Sequence, residues 1–416
     1  MTLLDLRAPS AETPWLRPES YWPALTEATR HLDTPVAALH LGALRHNTHD
    51  VLRRAGGTPI RVASKSIRVR GVLEAVLALP GYRGVLAFTL AEALWLAESI
   101  EDIAVGYPTA DRAAIDVLGR SPLLASRVTL MVDSLAQLDL IDSVIPPHRR
   151  ESIRVCIELD AGWSHPVLGH LGVLRSPVHT VDDVRDLARG VVARPGFALV
   201  GLMAYESQVA GLGDRPSGRG PGALTTEVVN RWVRRHSIAE LGVRRAAAVA
   251  AVREVAALEF VNGGGTGSLE STHADPSVTD IAVGSAFFGG HLFDNYSAFR
   301  PAPAAAFALS VVRKPSPATA TLLGGGWIAS GPPGADRMPS LAWPVDLAFV
   351  RREAAGEVQT PLTGPGAAGL GVGDRVWLRH TKSGKLSEHV AEFAVVHEGR
   401  VVDLLPTYRG EGKAFL

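Results

Sequence analysis

One lysine stands apart in a chain that otherwise uses arginine. Lysines occur only at positions 65, 314, 382, 385 and 413, so Lys65 is the single ammonium group in the first three-quarters of the sequence. It follows the apolar run "IRVAS", residues 60–64. A primary amine condenses with an aldehyde, which a guanidinium does not do. The plain alternative is a surface lysine at a strand end, and an Ala-, Arg- and Gly-rich chain is short of lysine for reasons unconnected with chemistry. Far downstream, "VNGGGTGS", residues 261–268, carries Gly264, Gly265, Thr266 and Gly267. Glycines let backbone N–H groups approach an anion closely, and hydroxyls add donors. A second pair, Gly284 and Ser285, closes the next apolar run. Neither stretch ends in the GK[ST] of a P-loop. An amine early in the chain and a phosphate cup late in it describe a cofactor with an aldehyde at one end and a phosphate at the other. That cofactor is pyridoxal 5′-phosphate.

These groups need a scaffold that brings distant strand ends together. From about Thr34 to Arg300 short β-like runs alternate with amphipathic Ala/Leu/Arg segments. "PVAALHL", "IRVASK", "GVLAFT", "DIAVGYP", "RVTLMVD", "IRVCIELDAG", "ALVGLMAYES", "LEFVNGGG" and "DIAVGSAFF" are the strand candidates. Such alternation implies parallel strands with right-handed crossovers. The count suits a (β/α)8 barrel, whose active sites lie at the carboxyl ends of the strands. Beyond residue 300 the helical period disappears and Pro, Gly and alternating strands take over. The expected organisation is α/β: an N-terminal segment over residues 1–33 packing with the β domain, a cofactor-binding barrel over 34–299, and an all-β domain over 300–416.

Composition narrows the partners. The 416 residues carry zero formal net charge with 46% hydrophobic residues, and no basic block that would favour nucleic acid. Cys156 is the only cysteine, which fits a reducing compartment. No run of signal-peptide or membrane-span character is present in the sequence, so the expectation is a cytoplasmic protein.

With these motifs in place, the sequence resembles the barrel pyridoxal-phosphate enzymes with an alanine-racemase-like N-terminal domain, in the branch of D-threonine aldolase and D-serine dehydratase. That branch opens with "TP", a strand and a helix bearing Asn, here "TPVAALHLGALRHN". Its cofactor lysine lies in R-x-H-x-K-T, which here reads Arg61, Val62, Ala63, Ser64, Lys65, Ser66. Its G-G-T-G loop is matched by Gly264–Gly267, and a later "GS" by Gly284 and Ser285. "EALWLAE", "YPTADR", "GGGWIASGP" and "PTYRGEGK" resemble the amino acid deaminase/aldolase group still more closely. The resemblance implies Lys65 as the cofactor lysine. It implies Arg61, Tyr205, Gly264, Gly265, Thr266, Gly267, Gly284 and Ser285 as cofactor neighbours, and a homodimer acting on a small amino acid and an aldehyde.

Departures from the family pattern bear on the reaction. Where D-threonine aldolase places a base histidine after the strand matching "GLMAY", this chain has "AYESQVAG", leaving Glu206 as the candidate base. The family's divalent metal sits on a C-terminal His plus Cys or Asp. Here His380 is followed by Lys382, and Ser387 stands where a Cys is expected. A hydroxyl is a poor ligand beside a thiolate. His380 is therefore a candidate metal ligand, with Glu388 or His389, and otherwise a second catalytic candidate. The expected activity is cleavage or formation of the Cα–Cβ bond of a β-hydroxy α-amino acid. The alternatives are a dehydratase/deaminase of the D-serine dehydratase type and an amino acid racemase.

Overall fold

Eight short strands rich in Ile, Val, Leu and Ala, each buried, close on one another and leave no sheet edge to solvent. The computed structural model describes residues 4–215, 221–332 and 334–416. In chain order β1 is Val36–His40, β2 Ile60–Ala63, β3 Tyr82–Ala87, β4 Ile103–Val105, β5 Val128–Val132, β6 Ile153–Glu158, β7 Trp163–His165, β8 Gly169–Leu171, β9 Phe197–Ala204, β10 Phe260–Gly263 and β11 Asp280–Val283. The closed barrel runs β10–β11–β2–β3–β4–β5–β6–β9, all parallel. β7 and β8 form a separate antiparallel hairpin beyond β6. Helices follow most barrel strands, and Thr180 opens that over Val181–Val192 with a reciprocal capping box to Asp183. The barrel is filled by Ala104, Met131, Cys156, Val200, Met203 and Phe260, so it is a packed core and not a pore.

The chain divides into two units. One holds residues 51–65, 77–284 and 415–416, with the barrel; the other holds the chain up to Asp50, 66–76 and 285–414. The second is built on a nine-stranded sheet. β1 belongs to it, pairing antiparallel with Ala305–Ser316 and parallel with Glu392–His397. This corrects the expectation that "PVAALHL" is the first barrel strand. A run of four apolar residues, Val36 to Leu39, buried on both faces has the same pattern in either sheet, so periodicity could not assign it. The barrel's last strand ends at Val283, short of the expected boundary near residue 299. No described helix is long and apolar enough to cross a membrane.

Candidate active site

Lys65 sits in a tight turn, Ser64–Ser66, at the carboxyl end of β2. Ser64 braces that turn by donating from Oγ to the Leu86 carbonyl, 3.2 Å away. The Lys65 ammonium donates to the phenol oxygen of Tyr107 at 2.6 Å. Tyr107 lies just beyond β4, and its ring centroid is 4.9 Å from the Arg175 guanidinium carbon. The same guanidinium lies 5.6 Å from the Tyr205 ring, at the end of β9. Arg175 also donates to the Gly106 carbonyl at 2.8 Å and pairs with Glu158, at the end of β6, at 2.7 Å. Lysine, two phenols, a guanidinium and a carboxylate from four strand ends therefore converge on one rim.

Burial shapes the acidities here. Glu158 is raised to about 7, by burial first; Arg175 opposes the rise and the nearby Asp133 charge adds to it. Tyr205 is pushed up to about 12, by burial and then by the charge of Glu206, so it stays a neutral phenol. Tyr107, Glu158 and Arg175 were missed in the sequence. An acid closing the apolar run "IRVCIELD" was a usable signal for Glu158, whereas Arg175 is one arginine among many.

The glycine loop lies at the end of β10. Gly264 takes φ +83, a left-handed conformation open to glycine at little cost. A Cβ added at Gly265 would come within 2.9 Å of the Ala210 Cβ and 3.3 Å of the Tyr205 ring. Arg54 donates to the Thr266 carbonyl at 2.9 Å, Arg234 to the Gly267 carbonyl at 3.1 Å, and the Gly265 carbonyl accepts from the Ser268 N–H at 3.1 Å. In a trans peptide the N–H points opposite to the C=O. The carbonyls of Gly265 and Thr266 are thus spent on Ser268 and Arg54, and the N–H groups of Thr266 and Gly267 point the other way. An amine beside a phenol, and a loop that presents N–H groups and has no room for a side chain, fit a ligand with an aldehyde and a phosphate. In the other unit, Ser285 shares a hydrogen bond with Ser66 at 3.1 Å.

Three candidates have other employment. Arg61 is fully buried inside the barrel, where it bonds Asp280 at 3.0 Å and Asp102 at 2.8 and 3.1 Å. It is a core ion pair and its donors are not free for an anionic cofactor. Glu206 has both oxygens engaged: one accepts from Arg245 and the Gly264 N–H, each at 3.0 Å, the other from Thr272 at 2.5 Å and Ser268 at 3.3 Å. A carboxylate so occupied has no lone pair facing a substrate. His380, in the second unit, is buried and shares a 3.0 Å hydrogen bond with Ser383; burial lowers it to about 3. Its expected companions are engaged elsewhere, Glu388 with Arg68, His389 stacked on Trp327 at 4.9 Å, and Ser387 donating to the Ile67 carbonyl at 2.7 Å. Among the described residues no group of three or more His, Cys, Asp or Glu side chains is arranged to hold a metal. Tyr408, in the stretch "PTYRGEGK", is buried, and its N–H donates to the Arg68 carbonyl.

Known proteins are similar to this chain in sequence and in fold. Residues 39–232 match the profile "Alanine racemase, N-terminal domain". That stretch is a little under half of the chain. It is 30% identical over 243 residues to 3-hydroxy-D-aspartate aldolase of Paracoccus denitrificans, covering 57% of this chain and 55% of that protein. The chain thus spans a little over half the length of the curated relative it matches. Among solved structures, D-threonine aldolase from Filomicrobium marinum superposes with a TM-score of 0.72 at 19% identity, covering 91% of this chain and 96% of that one. D-threo-3-hydroxyaspartate dehydratase from Delftia sp. HT23 gives 0.64 at 18% identity, with 90% and 97% covered. At such identities these two likenesses establish the fold alone: a closed parallel barrel accompanied by a second, sheet-built unit.

Proposed function

We propose that the chain is a pyridoxal-phosphate-dependent lyase. It cleaves the Cα–Cβ bond of a D-configured β-hydroxy α-amino acid, releasing a smaller amino acid and an aldehyde. The observation that carries the proposal is the Lys65 amine at the barrel rim, bonded to Tyr107. The names of the relatives, aldolases and a dehydratase of hydroxylated D-amino acids, support the substrate class. Lys65 would hold the cofactor by its aldehyde and the loop at Gly264–Gly267 by its phosphate, and the group would supply an electron-accepting ring able to stabilise negative charge at Cα.

The chain's own residues do the rest. Tyr107 holds the Lys65 nitrogen and gives it a partner for proton exchange. Glu158 titrates near neutrality, where a general base is most effective, so it takes the β-hydroxyl proton in place of Glu206. Arg175, fixed by Glu158 and Gly106, orients a substrate carboxylate. The packed barrel core beneath the rim keeps water out from below. The same reading makes the enzyme a cytoplasmic homodimer, which rests on the lone Cys156 and on the family resemblance.

The test is to incubate purified, cofactor-treated protein with D-threonine and D-3-hydroxyaspartate and to follow products by mass spectrometry. Glycine and an aldehyde are expected, and borohydride should fix the cofactor on the peptide containing Lys65. A keto acid with ammonia would make the enzyme a dehydratase. Interconversion of enantiomers alone would make it a racemase.

A further inference from the structure

Glu206 is 3% exposed and lies at the end of β9, beside the glycine loop. Its carboxylate takes the Gly264 N–H directly at 3.0 Å. Its other oxygen accepts from Ser268 Oγ at 3.3 Å, and that hydroxyl in turn accepts the Gly265 N–H at 3.1 Å. One carboxylate therefore occupies the first two N–H groups of the loop. The Thr272 hydroxyl, in the helix that follows the loop, completes the set at 2.5 Å. Behind the carboxylate stands Arg245, 2% exposed, which bonds Glu206 at 3.0 Å, the Ala204 carbonyl at 3.2 Å and Asp275 at 2.9 Å.

We infer that Glu206, backed by Arg245, is the positioning residue of the phosphate-binding loop: by tying down the N–H groups of Gly264 and Gly265 it fixes the backbone so that the Gly267 N–H meets the cofactor phosphate. The inference rests on the pyridoxal-phosphate reading above and assigns Glu206 a role in binding, not in proton transfer. A buried carboxylate near a phosphate would repel it if left bare. Arg245 supplies the compensating charge, while Asp275 holds the far side of the guanidinium. The loop is thereby shaped before the ligand arrives, so its ordering cost is met in folding and not in binding.

The experiment compares two probes on the full-length apo protein, pyridoxal 5′-phosphate and pyridoxal, which share the aldehyde and differ only in the phosphate. Dissociation constants are read from the visible absorbance of the bound forms, with inorganic phosphate as competitor. Wild type should prefer the phosphorylated probe strongly. Glu206→Gln presents an amide N–H to groups that are themselves donors, so its affinity for pyridoxal phosphate should fall about tenfold or more while its affinity for pyridoxal changes little. Ser268→Ala, a milder change that releases only the Gly265 N–H, should show the same selective loss on a smaller scale and guards against a variant that fails to fold. Equal losses for both probes, or no loss for either, would overturn the role assigned to Glu206. So would unchanged binding by Glu206→Gln accompanied by a lost limb in the pH–rate profile, which would make Glu206 a base. A wild-type protein that binds both probes equally would overturn the phosphate-site reading itself.

Discussion

Arg61 decides between two accounts of the motif that contains Lys65. As a cofactor ligand, its loss would weaken binding and leave the apo protein as stable as before. As the core ion pair seen in the barrel, its loss strands Asp280, whose side chain is 3% exposed and keeps only the Asn262 amide. Removing one partner of a buried pair costs about 3–5 kcal/mol, because the remaining charge is left desolvated. The second partner, Asp102, is 35% exposed and can turn to water, so its share is small, on the order of 1 kcal/mol or less. Arg61→Met, which keeps apolar volume beside Phe260, should therefore cost about 3–5 kcal/mol, or roughly two to three and a half orders of magnitude in the folding equilibrium of the barrel. The assay is urea denaturation of the apo protein, with unfolding of the barrel followed by fluorescence, alongside a cofactor titration below the transition. Adding Asp280→Asn should recover a substantial part of the loss, since a neutral amide tolerates the vacated site better than a carboxylate. An unchanged urea midpoint with a weakened cofactor affinity would refute the reasoning and return Arg61 to the binding site.

Glu158, raised by burial to about 7 from its ordinary value near 4.5, should make folding pH-dependent: the native state binds the proton more tightly, so stability is fully present below about 4.5 and falls as pH rises through 7. Glu158→Gln should flatten that fall, and parallel pH–stability curves for the two proteins would contradict the assignment. Gly265→Ala puts a Cβ 2.9 Å from Ala210, so the loop or Tyr205 must shift and the cofactor dissociation constant should rise; an unchanged constant would show the cradle to be looser than it looks. His380→Ala should leave the metal content of the purified protein, measured by elemental analysis, equal to wild type, because the ring is buried against Ser383 and its expected companions are engaged elsewhere; loss of about one zinc or manganese per chain would make His380 a ligand.

What could be read from sequence follows from which physical signals are local. The strand–helix alternation is local, and it pointed to a closed parallel barrel with a second, strand-rich part. The scarcity of lysine and the run Gly264–Gly267 are local as well, and they lie at the ends of β2 and β10, where parallel-barrel chemistry belongs. The residues that were misread are those whose role depends on direction and not on position. Glu206 does stand at a strand end, as a base would, but its oxygens turn back to the Gly264 N–H and to Arg245, 39 residues away in the chain. Arg61 shares a short motif with Lys65, yet the inward-facing register of β2 points its guanidinium at Asp280, 219 residues on. Conversely, Arg175 and Tyr107 had no local mark at all, and only the closing of the barrel brings the guanidinium against the phenol that holds Lys65. A strand end in a parallel barrel thus tells which residues are near the chemistry. Whether such a residue performs the chemistry or holds the loop that does depends on the acceptors and donors that folding sets opposite it. In this chain those partners make Glu206 and Arg61 part of the frame, and put Glu158, Arg175 and Tyr107 at the working rim.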